Sequence, residues 1–214
     1  MTLRKFFLFH APLRGSNHGL DVVNFRNLLP PGQLMIIRAD GRLPTFPETP
    51  ILAPKKGQRF KPPKDLAWCM GVMFASQRLK DVIERVDPEA AEFSPIEVHY
   101  PKGQMSPSPH YFFAVRREID ALDLEKSTLA VEDDRGNQIY SIVGDHDLHF
   151  DQERAGPAHL FKQKHLPGLV ADSVLKEACV AAGVTDYELF GKLTNMRPKE
   201  PRTGVVYRKS WISP

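Results

Sequence analysis

Hydrophobic positions recur along this chain in two rhythms. Over residues 76–86, "SQRLKDVIERV", Leu79, Val82, Ile83 and Val86 return every three or four positions, while Arg78, Lys80, Asp81, Glu84 and Arg85 take the other face. That spacing predicts a helix with one apolar stripe. Ser76 stands at its N-cap, where a hydroxyl accepts from a free backbone N–H, and Asp87-Pro88 ends it. Residues 172–182, "DSVLKEACVAA", predict a second helix, with Val174, Leu175, Ala178 and Cys179 on one face. Asp172 or Ser173 caps it and Gly183 stops it. Both stripes read as core.

The other rhythm is that of strands. "KFFLF", "QLMIIRA", "AEFSPIEVHY", "HYFFAVRRE" and "AHLFKQ" are rich in aromatic and β-branched residues. Asp40-Gly41 is a tight-turn dipeptide after the second of them, and Pro95 marks an edge or a bulge in the third. "STLAVED" and "QIYSIV" predict a hairpin turning over Asp134–Asn137, and "TDYELFGKL" returns as a strand after the second helix. Two helix-then-strand units result, Ser76–Val98 and Ser173–Leu193. They have the plan of an internal repeat, although a helix laid on a sheet is common enough that coincidence stands as an equal reading. The expected fold is α+β, a mostly antiparallel sheet with two principal helices packed on it.

Prolines interrupt these rhythms. Residues 44–63 hold Pro44, Pro47, Pro50, Pro54, Pro62 and Pro63, a stretch incompatible with a regular helix or a central strand. The same region carries Lys55, Lys56, Arg59, Lys61 and Lys64 with no acid among them, and "PKGQMSPSP" at 101–109 is a second break. The chain is expected to divide into a β-rich part at 1–64, an α+β core at 65–193 and a basic tail at 194–214, all within one compact domain.

Composition narrows the function classes. The 214 residues are 42% hydrophobic and 26% charged, ordinary for a globular protein and too apolar for a disordered one. A net charge of +3 is mild for a nucleic-acid binder; only Phe60, Tyr207 and Trp211 near the basic stretches offer stacking groups. Cys69 and Cys179 lie in apolar stretches without a Cys-x-x-Cys spacing and read as buried free thiols. The apolar run after Arg4 and Lys5 is too short for a signal peptide. No stretch approaches the roughly 20 apolar residues of a membrane span. A cytoplasmic protein is expected, with neither membrane nor nucleic acid as partner.

The most chemical-looking stretch is "GDHDLHFD" at 144–151. His146, His149 and an aspartate could hold a metal, and a small metal-dependent hydrolase is the alternative reading. In an extended segment, however, their odd separation points the two histidines to opposite faces. No His-Glu-x-x-His occurs, and no spacing selects a further ligand among His10, His18, His99, His110, His159 and His165. Ser16 beside His18 sits in a glycine loop, and neither Gly-x-Ser-x-Gly nor a phosphate-binding loop is present. The main reading is a charged surface connection, with no catalytic residue, cofactor or metal.

One block is more specific. "WCMGVMFASQRLKDVIERVDPEAAEFSPIEVHY" followed by "YFFAVRREIDALDLEKS" has Trp68, a helix opened by Ser76 with Leu79, Glu92-Phe93-x-Pro95, the Tyr111 strand, and Ile119-Asp120-Ala121-Leu122-Asp123 ahead of Ser127. Distally, "HLFKQKHLPGLVADSVLKEACVAAGVTDYELF" adds a strand, the Ser173 helix and its Gly183 exit. Over residues 65–192 this order and spacing resembles the eleventh class of bacterial immunity proteins of polymorphic-toxin systems, first catalogued as a domain of unknown function. Asp186 stands where that family commonly has a second glycine. The resemblance implies a non-enzymatic protein made beside a toxin delivered by a type VI or similar secretion route, and a partner that is this cognate toxin. It supplies no catalytic residues to carry over. The expected mechanism is a stoichiometric complex occluding the toxin's active site. The acids of one loop, Asp145, Asp147, Asp151 and Glu153, are the candidate contact surface; Arg208 and Trp211 in the basic tail are the other.

Overall fold

A computed structural model describes residues 3–11, 19–29, 42–134, 136–184 and 189–196, with main chain alone at 134 and 204–209. The chain opens with β1 (Phe6–Phe9), β2 (Leu20–Val22), the single-turn α1 (Phe25–Leu28) and β3 (Ile51–Pro54). It continues through β4 (Leu66–Cys69), β5 (Val72–Ser76), α2 (Gln77–Val86), β6 (Ala91–Val98) and β7 (His110–Val115). Then follow β8 (Glu118–Ile119), β9 (Thr128–Asp134), β10 (Asn137–Ser141), α3 (Gln152–Ala155) and β11 (Leu160–Gln163). Last come β12 (Leu169–Asp172), α4 (Ser173–Ala181), β13 (Phe190–Gly191) and β14 (Gly204–Lys209). "QLMIIRA" lies outside the described residues.

The fold is α+β, but the strands form three sheets and each is mixed. Their orders are β2-β3-β6-β7-β5-β4, β13-β1-β12-β11-β8 and β10-β9-β14. Hairpins supply some of the antiparallel ladders, and others join distant strands, β1 with β12 and β13 and β5 with β7. One parallel pair enters each sheet, β3 on β6, β8 on β11 and β14 on β9. These pairs join segments distant in sequence, which local periodicity cannot bring together.

The layers are fixed by alternation along strands buried on both faces. Met73, Ala75, Phe113, Leu169 and Ala171 meet α2 and α4 in a core between the six- and five-stranded sheets. Val72, Phe74 and Phe112 point the other way, under α1 and Phe46 of the proline-rich stretch. Val170 and Phe161 face Leu129, Val131 and Tyr140 of the three-stranded sheet. On α2 the predicted stripe is core, with Leu79, Val82 and Ile83 buried and Val86 half-buried. On α4, Leu175 and Cys179 are buried one turn apart, which turns Val174 out to 41% exposure, against expectation. Ser76 caps α2 by accepting from Leu79 N–H, and Asp172 caps α4 by accepting from Val174 and Leu175 N–H.

The proline-rich stretch corrects the sequence reading. It contributes β3, an interior strand between β2 and β6. Prolines are tolerated because Pro50 and Pro54 bracket a four-residue strand rather than interrupt it. Pro95 does lie at an edge: β3 covers β6 only at Glu97 and Val98, so the missing N–H of Pro95 leaves no ladder gap.

The internal repeat is real in the fold and larger than the helix-strand units. Strands β6-β7-β5-β4, with α2 leaving β5, match β13-β1-β12-β11, with α4 leaving β12. The correspondence reaches side chains. Ser76 N–H donates to Asp65 O, and Asp172 N–H to His159 O; Gln77 N–H donates to Pro109 O, and Ser173 N–H to Lys5 O. Phe93 meets Phe113 at 5.4 Å and Phe190 meets Phe9 at 5.5 Å between ring centroids. Lys80 lies over Tyr111 at 5.2 Å, and Lys176 over Phe7 at 4.0 Å. In the second unit the fourth strand is β1, from the opposite end of the chain.

Two buried carboxylates act as ties, Asp87 between the units and Asp172 within the second. Asp87, at the C-cap of α2, accepts from both Arg117 nitrogens at 2.9 and 3.1 Å and from the N–H groups of His159 and Leu160 at 2.8 and 3.3 Å. Asp172, fully buried, also receives Arg4 at 3.2 Å and His159 Nδ1 at 2.8 Å. Arg4 donates besides to the carbonyls of Gln152, Gly156 and Ala158. Each buried charge thus has partners, as it must in a low-dielectric interior.

Candidate partner interface

Charge is segregated along the chain more sharply than its small total suggests. Residues 118–153 hold 11 carboxylates against two cations, net −9; the rest hold 15 carboxylates against 27 cations, net +12. The acidic block builds β8, the three-stranded sheet's β9 and β10, and the loops beside them. The basic run 55–64 belongs to the far sheet of the stack, between β3 and β4. That run is packed as well as charged: Phe60 meets the Tyr100 ring at 5.0 Å, and Gly19 approaches the Arg59 carbonyl so closely that a Cβ would stand 2.7 Å from it.

Two loops of the acidic block are zipped by their backbones. Leu122 bridges Phe150, and Asp147 bridges both Thr128 and Thr194. Asp123 N–H donates to His149 O and Asp151 N–H to Ala121 O, each at 2.8 Å. Leu122 and Leu148 anchor the pair in the core beneath. So "GDHDLHFD" is more than a solvated turn: its backbone is pinned, Leu148 is buried and Phe150 is half-buried against the same core.

Within this frame the four predicted acids differ. Asp147 accepts from the Thr194 hydroxyl and lies 3.2 Å from His149 Nε2. Asp151 caps α3, accepting from Glu153 and Arg154 N–H. Asp145 and Glu153 are exposed and make no ion pair among the described residues. The neighbouring loop adds Asp123, whose carboxyl is held below the ordinary carboxylate range first by its hydrogen bond from Lys126. Glu118, Asp120, Glu125, Glu132, Asp133 and Asp134 complete the block. Arg208 is in β14, at the register position opposite Glu132; Trp211 lies outside the described residues. Sequence reasoning named one loop and missed the second, although the net charge of the whole block was a usable signal.

His146 and His149 do not converge. His146 is buried, its Nδ1 3.2 Å from Gly144 O and its Nε2 without a partner, while the His149 side chain is half exposed. No group of three or more His, Cys, Asp or Glu is placed to hold a metal among the described residues. Cys69 and Cys179 are buried free thiols, both pushed up to about 12 by that burial.

Concavities lie elsewhere, and two of them border motif residues. A groove of about 800 Å³ beside the start of α2 is lined by Asp65, Gln77, Arg78, Asp81, Arg85 and His110. There Arg78 already holds Asp65, at 2.8 Å. A second, of about 480 Å³, reaches core residues Phe9, Met73 and Leu169 past Trp68. Trp68 is 39% exposed at its mouth, so this motif residue does not serve the core alone.

No helix among the described residues is long and apolar enough to cross a membrane. Residues 5–197 match the immunity protein family (Imm11), a stretch that takes in β1 to β3 as well as the block at 65–192. No curated protein matches the chain.

Proposed function

This chain belongs to the Imm11 immunity protein family, and we propose from that premise that it neutralises one cognate antibacterial toxin by forming a stoichiometric complex that occludes the toxin's active site. The observation that carries the reading beyond the family is the acidic layer, net −9 over residues 118–153, with seven of its carboxylates on two backbone-zipped loops. A pinned surface of net negative charge speeds encounter with a partner of opposite sign and loses little freedom on docking. Asp145, Asp147, Asp151 and Glu153 are the proposed contact acids, facing a basic groove on the toxin. If that toxin acts on nucleic acid, the carboxylates occupy places where phosphates would sit. Arg208 and Trp211 form the alternative contact. Neutralisation of this kind needs no catalysis by the chain, and it acts in the cytoplasm of the producer, against a toxin delivered by a type VI or similar route.

The test begins with the toxin-like reading frame beside this one. Co-expression should protect cells, and the purified pair should run as a complex of fixed stoichiometry. Changing the four acids together to Asn and Gln should weaken binding by at least roughly tenfold and steepen its loss with salt less than in the native pair. Full protection by that variant would remove the acidic loop as the contact. No complex with the neighbouring product would overturn the function itself.

A further inference from the structure

β14 differs from every other strand described. It is the one strand lying beyond residue 197, outside the family match. It comes from the end of the chain and lies parallel on β9, at the edge of an antiparallel hairpin. Its register is ordered by chemistry. Val205, Val206 and Tyr207 stand opposite Leu129, Ala130 and Val131, and then Arg208 and Lys209 stand opposite Glu132 and Asp133. Two cation positions in succession thus fall in register with two exposed carboxylates in succession, on the most acidic layer among the described residues.

An open strand edge binds extended chain through its ladder, and side chains at fixed positions select which chain. We propose that the outer edge of β9 is an acceptor for an extended basic strand: β14 holds it in cis as a tethered stand-in, and a basic strand of the cognate toxin takes it in trans. The occupant in trans rests on the proposed toxin-neutralising function; the acceptor edge does not. Glu132 and Asp133 select for consecutive cations at the end of the incoming strand. The tether gives β14 a high effective concentration, so a free strand competes poorly unless its owner also gains contacts elsewhere. The loops of Asp145 and Glu153 offer such contacts to a toxin and none to a bare peptide. β14 therefore keeps the β9 edge occupied and filters what displaces it.

The experiment uses the full chain and a labelled peptide spanning residues 202–210. Three proteins are compared by fluorescence anisotropy and by amide exchange: native, R208E/K209E and E132K/D133K. Weakening the cis strand in R208E/K209E should expose the β9 amides and tighten peptide binding by at least roughly tenfold over native. E132K/D133K should bind the peptide no better than native, and a peptide with both cations changed to Glu should bind it instead. Equal binding by all three proteins, or unchanged β9 protection in R208E/K209E, overturns the acceptor edge. The toxin arm is read separately. Loss of β14 protection in the toxin complex supports exchange. Retained protection in a neutralised complex overturns the occupant in trans and leaves the edge standing. Failure of the toxin to bind at all counts against the function, not against the edge.

Discussion

Asp87 offers the sharpest test of how the two units are joined. Its carboxylate takes two hydrogen bonds from Arg117 and two from the backbone N–H groups of His159 and Leu160. Asp87→Ala leaves these donors differently placed. Arg117 is 23% exposed and can turn towards water. Leu160 is fully buried, so its N–H stays dry. Removing one partner of a buried pair costs about 3–5 kcal/mol, most of it the desolvation of what remains. In a chain of this size each kcal/mol moves Tm by about 2–4 °C, so a fall of roughly 10 °C is expected. Urea melts supply the free energy, and amide exchange at Leu160 locates it: that amide should lose protection while α2 Ile83 keeps its own. Asp87→Asn, which preserves one acceptor oxygen, should fall between the two. A loss under about 1 kcal/mol for Asp87→Ala would falsify the view that this carboxylate joins α2 to β11.

Further outcomes follow from single features. Burial holds the His110 imidazole below its ordinary value of 6.5, against weaker opposing pulls from the Ser108 main chain and Asp65. The unfolded chain therefore takes the proton first, so stability should decline as pH falls below about 6.5 towards the lowered folded value. His110→Leu also removes an unpartnered buried Nδ1; it should be near neutral at pH 7 and gain on the native chain towards pH 5, and parallel urea-melt profiles would refute this. Cys69 and Cys179, with thiols pushed to about 12, should resist alkylation at pH 8 until denaturant is added, and rapid labelling of the folded chain would contradict their burial. Gly19 has φ +65 and no room for a Cβ. Gly19→Ala should cost about 1–3 kcal/mol and loosen residues 55–60 in amide exchange, whereas unchanged protection there would show that the approach to Arg59 is not needed.

Legibility from sequence followed the range of the forces involved. α2, α4 and the β9–β10 hairpin were readable because period, cap and turn are local, and Ser76, Gly183 and the Asp134–Asn137 turn do their work within a few residues. The β4–β5 hairpin was not. Its turn is Met70-Gly71, with Met70 at φ +49, a conformation usually assigned to Asn or Gly. β5 is buried on both faces and β4 exposes only Trp68, so neither alternates. β12 was hidden because "LVAD" runs straight into a helix cap. The acidic loop 145–153 was visible as a cluster. Its partner loop 120–127 was not, because Leu122↔Phe150 and Thr128↔Asp147 are bridges between segments with no shared pattern.

The borrowed strand of the second unit has a consequence for how the molecule is made. The first unit is contiguous, from Leu66 to Val115, and can close as soon as those residues leave the ribosome. The second waits for Lys5 to meet Ser173, 168 residues away. β1 is synthesised long before β12 and β13, its neighbours in the sheet, so its four apolar residues stay unsheltered until those strands follow. Long-range closures of this kind slow folding and lengthen exposure to aggregation. Assembly thus has a direction, with the first unit as template and the return of β1 as a later latch. A bulky group joined ahead of β1 would burden that latch and leave the first unit untouched.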